Sequence, residues 1–152
     1  MTEGTLSRRI VADRIHGIQE MMAEIRLLPL ESREAFFADR RNLWAAESCL
    51  RRALEALLDL GQHILAKHFA VGTSEDKEIA RQLETRGILP PPESNLLQTL
   101  AGYRNRLVHF YHVVTHDELY QICTVHLEDV ERVLASLKDR LRNHPDRLDE
   151  AL

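Results

Sequence analysis

Residues 103–114, YRNRLVHFYHVV, set two arginines, an asparagine and two histidines among Leu, Val, Phe and Tyr. On a helix advancing about 100° per residue, with Arg104 at zero, Leu96, Leu100, Tyr103, Leu107, Phe110 and Val114 fall between roughly 240° and 320°. They repeat at steps of 4, 3, 4, 3 and 4 and form a continuous core stripe. Asn105, His109 and His112 fall near 80° to 140°, almost opposite that stripe, while Tyr111 and Val108 flank Arg104 near zero. Burial against the helix's own core therefore does not explain His109. Arginine supplies a permanently charged fork that matches phosphate geometry. Histidine is the side chain best poised to move protons near neutral pH. Asn105 and His109, four apart, are neighbours on one face.

A phosphate clamp beside a general acid/base is a minimal kit for cleaving RNA without a metal. The ribose 2′-hydroxyl attacks phosphorus, the 5′-oxygen leaves, and Arg104 stabilises the charge that develops. One helix carries one such Arg and one such His. Two helices packed across a two-fold axis would carry two of each, which points to a composite site in a dimer.

The rest of the chain must position this helix. Its 152 residues suit one domain with a real core, and 44% apolar with 29% charged residues is ordinary for a folded protein. Ala, Leu, Glu and Arg dominate, so propensity leans to helix. A formal charge of −4 argues against a surface coated in basic groups for non-specific nucleic-acid binding, although a local basic site remains open. Cys49 and Cys123 lack metal or redox spacing and read as buried thiols of a reducing cytosol. The start, MTEGTLSRRIVADRI, has no apolar signal region, and no run approaches the ~18 apolar residues of a membrane span. The expected location is cytoplasmic, without membrane contact.

The periodicity predicts an all-α, up-down bundle of four to five helices over residues 1–142 and a flexible tail over 143–152. Helices are expected at about Ser7 to Leu28, Asp39 to His68, and from the caps Thr73 and Ser74 to Gly87. Two more are expected from Ser94 to His112 or Val114 and from Thr115 to Arg142, with a short helical turn in SREAFFAD. Pro90, Pro91 and Pro92 predict a rigid non-helical turn before Ser94. Gly61 sits on the apolar stripe of Leu50, Leu54, Leu57 and Ile64, where a missing side chain admits another helix.

These residues carry a resemblance. RNRLVHFY is similar to the arginine, four residues, histidine, one residue, tyrosine motif of HepT-like proteins in the HEPN superfamily of all-α domains. Here the motif is Arg104, His109 and Tyr111, and Asn105 matches the polar residue that follows the arginine in HEPN ribonucleases. CLRRALEALLDLGQHILAKH resembles the family's second helix and LETRGILP the approach to the motif helix, so the likeness spans most of the chain. Arg106 and His112 also fit the broader superfamily spacing; Arg104 and His109 are preferred because they bring Asn105 and Tyr111 into register. The resemblance implies a toxin of a type VII-like toxin–antitoxin pair: a metal-independent endoribonuclease that uses no cofactor and forms a homodimer through the motif helix. It implies a small nucleotidyltransferase antitoxin as partner, able to join a larger complex and to silence the toxin by transferring AMP to Tyr111. The alternative is a non-catalytic HEPN module that accompanies a nucleotidyltransferase and helps bind its substrate.

Other features have plainer readings. His116 and Asp117 in THDEL lack further ligand spacing and read as a helix cap. His63, His68, His126 and His144 read as surface residues. Arg8 with Arg9, Arg40 with Arg41, and Arg51 with Arg52 read as solvated faces; among them Arg51 or Arg52, like Arg106 and His112, are candidates to contact RNA.

Overall fold

A computed structural model describes residues 4–73, 75–109 and 113–148. Phe110, Tyr111 and His112 lie outside the described residues, and so does Ser74. The described chain is all-helical: α1 Arg8–Arg26, α2 Arg33–Phe37, α3 Arg40–Phe69, α4 Asp76–Thr85, α5 Pro91–His109, α6 His116–Val125 and α7 Leu127–Asn143. A 3₁₀ turn, Pro145–Arg147, follows. The central element is α3, which touches α1, α2, α4, α5, α6 and α7.

Local chemistry sets the boundaries. The side chains of Ser7, Ser32, Asp39 and Thr115 each accept a backbone N–H at the start of α1, α2, α3 and α6. Gly87, at φ 75°, ends α4 in the left-handed region that glycine occupies without a Cβ clash. Leu50, Leu54, Leu57, Gly61 and Ile64 are buried, as their stripe predicts. A Cβ placed on Gly61 would lie 2.9 Å from Leu83 Cδ1 and 3.3 Å from Ile79 Cγ2, so its bare backbone is what lets α4 settle on α3.

Several expectations need correction. The motif helix begins at Pro91, not Ser94. Pro91 and Pro92 fill the first turn, where backbone N–H groups have no intrahelical partner to lose and φ is already helical. Ser94 is then fully buried and donates its hydroxyl to the Ala80 carbonyl at 3.2 Å, tying α5 to α4. Thr73 does not cap α4, whose N-cap residue Glu75 makes no side-chain capping bond. The last predicted helix is two: it breaks at His126, with Leu119, Ile122 and Cys123 buried before the break and Leu127, Val130 and Val133 after it. His126 is half-buried against Asp129 (Nδ1 to Oδ2 3.0 Å) rather than on the open surface.

His68 is likewise not a surface residue; it is 1% exposed. The segment after Arg142, expected to fray, is held as far as Leu148. Leu6 and Leu148 form an isolated parallel bridge, the Leu6 N–H donates to the Arg147 carbonyl at 2.8 Å, and Arg147 Nη2 donates to the carbonyls of His68 (2.9 Å) and Gly4 (3.2 Å). Leu6 thereby becomes fully buried, which offsets the entropy lost in fixing a chain end.

Candidate active site

The motif helix lies between α4 and α7, with α3 alongside. Leu97, Leu100, Ala101 and Leu107 are buried, and Leu96, Tyr103 and Val114 pack partly against the core. The buried face is thus wider than the predicted stripe, because α5 has helices on several sides. Asn105 and His109 are exposed on the opposite side, where the wheel places them.

Arg104 points along the junction of α3, α4 and α5. Its Nη1 donates to Asp76 Oδ2 at 3.2 Å, and its Nη2 lies 3.9 Å from Glu55 Oε1. Arg51, one turn before Glu55 on α3, reaches the same Glu55 oxygen at 3.3 Å. The candidate RNA-contacting Arg51 and the motif arginine therefore share one carboxylate, while Arg52 is exposed and outside this cluster. The Nε of Arg104 is buried, and none of the described residues accepts its proton.

Arg106 is engaged elsewhere. Both of its Nη atoms donate to Glu118 of α6, one of them at 3.0 Å, and its guanidinium sits 5.4 Å from the centre of the Tyr103 ring. The Glu118 hydrogen bonds raise its already high pKa. Burial, more than the neighbouring Glu118, pushes the Tyr103 hydroxyl upward as well. This pair joins the motif helix to α6 across the undescribed residues 110–112.

Sequence alone linked none of Glu55, Asp76 and Glu118 to the arginines of the motif helix. Arg51 and Glu55 were visible as a pair four apart, but their link to Arg104 crosses helices, and Asp76 is 28 positions from Arg104. Trp44 was also missed: it is 69% exposed at the rim of a cavity of about 330 Å³ lined by Leu43, Leu107, Val114, His116 and Leu119, where α3 meets the end of α5. THDEL caps α6 through Thr115 and not through His116 or Asp117; Asp117 instead pairs with Arg33 of α2. Among the described residues no three His, Cys, Asp or Glu side chains converge as metal ligands would. Cys123 is buried and its thiol is pushed up to about 12 by burial, which leaves it protonated and inert.

Residues 18–137 match the family model described as "Ribonuclease HepT-like". No curated protein sequence matches the chain. Among solved structures, the tri-AMPylated HEPN toxin of Shewanella oneidensis, in complex with its MNT antitoxin, superposes with a TM-score of 0.77 at 23% identity, over 86% of this chain and 97% of that one. A toxin–antitoxin complex with AMP-PNP gives 0.75 at 22%, covering 84% and 97%. The Bacillus subtilis cytosolic protein YutE, of unknown function, gives 0.73 at 17%, covering 90% and 92%. At these identities the likeness to the solved structures is one of fold.

Proposed function

Because the chain belongs to the HepT-like ribonuclease family, we propose that it is a metal-independent endoribonuclease acting as the toxin of a toxin–antitoxin pair. The observation that carries this is the motif helix itself, with Arg104 part-exposed at a three-helix junction and Asn105 and His109 on its open face. His109 takes the proton of the 2′-hydroxyl or returns one to the departing 5′-oxygen. Arg104 meets the charge on the phosphoryl oxygens, and Asn105 supplies a neutral donor beside it. The products are a 2′,3′-cyclic phosphate and a 5′-hydroxyl.

Arg104 and His109 are separated by roughly 7.5 Å along the axis and about 140° around it, too far to grip one phosphate from one helix. A homodimer through the motif helix resolves this, with each phosphate meeting residues of both copies. Trp44 and Val113, exposed apolar residues of α3 and of the segment after α5, give such an interface apolar surface.

The partner is a nucleotidyltransferase antitoxin of the kind named for the Shewanella complex. The Tyr111 phenolic oxygen attacks the α-phosphorus of ATP, pyrophosphate leaves, and AMP stays on the tyrosine. Its added negative charge, next to Arg104 on the ideal wheel, competes with RNA for the clamp.

The test is cleavage of transfer and messenger RNA by unmodified protein in EDTA, beside Arg104→Ala and His109→Ala. Wild type leaves 2′,3′-cyclic ends, and each variant loses about 100-fold or more. Equal inertness of all three proteins would favour the module that only helps bind a nucleotidyltransferase's substrate.

A further inference from the structure

The surroundings of Arg104 are unusual for a phosphate clamp. Its side chain is 26% exposed and its hydrogen-bonded partner Asp76 15%, so this ion pair is largely shielded from water. Glu55 lies on the other side and is held in turn by Arg51. Two arginines and two carboxylates cancel in formal charge. An approaching phosphate therefore meets no net positive field here, so the carboxylates do not serve long-range attraction.

What they do supply is orientation. With Nε buried, the Nε–Nη2 edge of the fork is closed to a ligand. Asp76 takes an Nη1 hydrogen, which fixes rotation about the guanidinium's stem, and Nη2, 3.9 Å from Glu55 Oε1 and so beyond hydrogen-bond reach of it, keeps its outward hydrogen for a phosphate. Asp76 is itself rigidly placed. It is the first residue of α4, and one turn later Ile79 packs against the bare backbone of Gly61, while the Ala80 carbonyl is tied to Ser94 of the motif helix.

We propose that Asp76 is a positioning residue for Arg104: it sets the guanidinium before RNA arrives, so that the fork meets charge as it develops at phosphorus instead of chasing it. Interactions fixed in advance lower the barrier without tightening ground-state binding. The proposal rests on the reading of Arg104 as catalytic.

Asp76→Asn keeps the shape and removes the charge, and Asp76→Glu restores the charge. In wild-type background Asp76→Asn lowers kcat by about 10- to 100-fold with KM within about threefold, and Asp76→Glu recovers part of the loss. In an Arg104→Ala background Asp76→Asn adds no further loss, because both act through one group. Independently of turnover, phenylglyoxal labelling of Arg104, followed by peptide mass spectrometry, runs several-fold faster in Asp76→Asn, at an unchanged unfolding midpoint. A folded Asp76→Asn protein that cuts RNA at the wild-type rate, or that labels Arg104 no faster, overturns the positioning role while the nuclease reading stands. A wild-type protein that cuts no RNA sinks the nuclease reading and this role together.

Discussion

A buried histidine must be neutral or pair its charge, and His68 shows which it does here. Its Nδ1 faces the Arg140 guanidinium at 3.3 Å, which forces that nitrogen to carry a lone pair, and its Nε2 donates to the Arg147 carbonyl at 3.3 Å. Protonating Nδ1 would set an N–H against a cation. Burial first, and then the charges of Arg140, Arg147 and His144, push its pKa down to about 4 despite the Arg147 carbonyl. In the unfolded chain the ring titrates near 6.5. Between about 6.5 and 4 the unfolded state therefore binds a proton that the folded state refuses, and stability falls as pH drops through that window. We expect the melting temperature of His68→Gln to depend less steeply on pH between 7 and 4.5 than that of wild type. Equal slopes for both proteins would show that other groups govern acid stability. No helical periodicity foretold this: His68 lies near the end of α3, and what buries it, α7 and residues 145–148, arrives from 72 to 79 positions away.

Elements were legible to the extent that their information is local. The stripe of Leu50, Leu54, Leu57 and Ile64 gave the buried face of α3, and the expected starts at Ser7 and Asp39 fall on the residues whose side chains cap α1 and α3. Position-dependent chemistry was harder. Proline disrupts a helix interior but suits its first turn, and nothing before the fold is known tells which place Pro91 and Pro92 take. The break at His126 interrupts no apolar pattern, so periodicity ran through it. In the candidate site the same division holds: Asn105 and His109 stand where the wheel put them, while the acidic partners of Arg104 required the register of three helices. Gly61 is where a local reading did reach tertiary structure. A bulky Gly61→Leu side chain must displace Leu83 and Ile79, separating α4 from α3. Overpacking of this kind costs about 1–3 kcal/mol. Chemical denaturation should show that loss, and a variant as stable as wild type would mean that α4 moves freely enough to absorb a whole side chain.

At the scale of the molecule, residues 4–6 and 147–148 close on each other and on the end of α3. Ala70, the C-cap of α3, adopts the left-handed conformation at φ 53°, and the carbonyls of Lys67 and His68 that emerge there would otherwise face solvent or apolar surface. Arg147 gathers them together with the Gly4 carbonyl, and Leu148 pairs beside Leu6, which is wholly buried. One short segment thus satisfies a helix end, covers a core side chain and completes the burial of His68. Truncation after His144 removes all three contributions at once. Exposing Leu6 alone costs about 1.5–3 kcal/mol, and in a chain of this size each kcal/mol lowers the melting temperature by roughly 2–4 °C. The truncated protein should therefore melt at least about 5 °C below wild type at pH 7. It should also lose the carbonyl that holds His68 and admit water to the ring, so that the His68 pKa returns toward its ordinary value and the acid sensitivity shrinks. Arg147→Ala separates the two effects: it removes the guanidinium but keeps the backbone carbonyl and Leu148, so melting falls less while the acid window persists. A truncation that leaves both the melting temperature and its pH slope unchanged would show that the contacts of residues 145–148 contribute nothing to the fold.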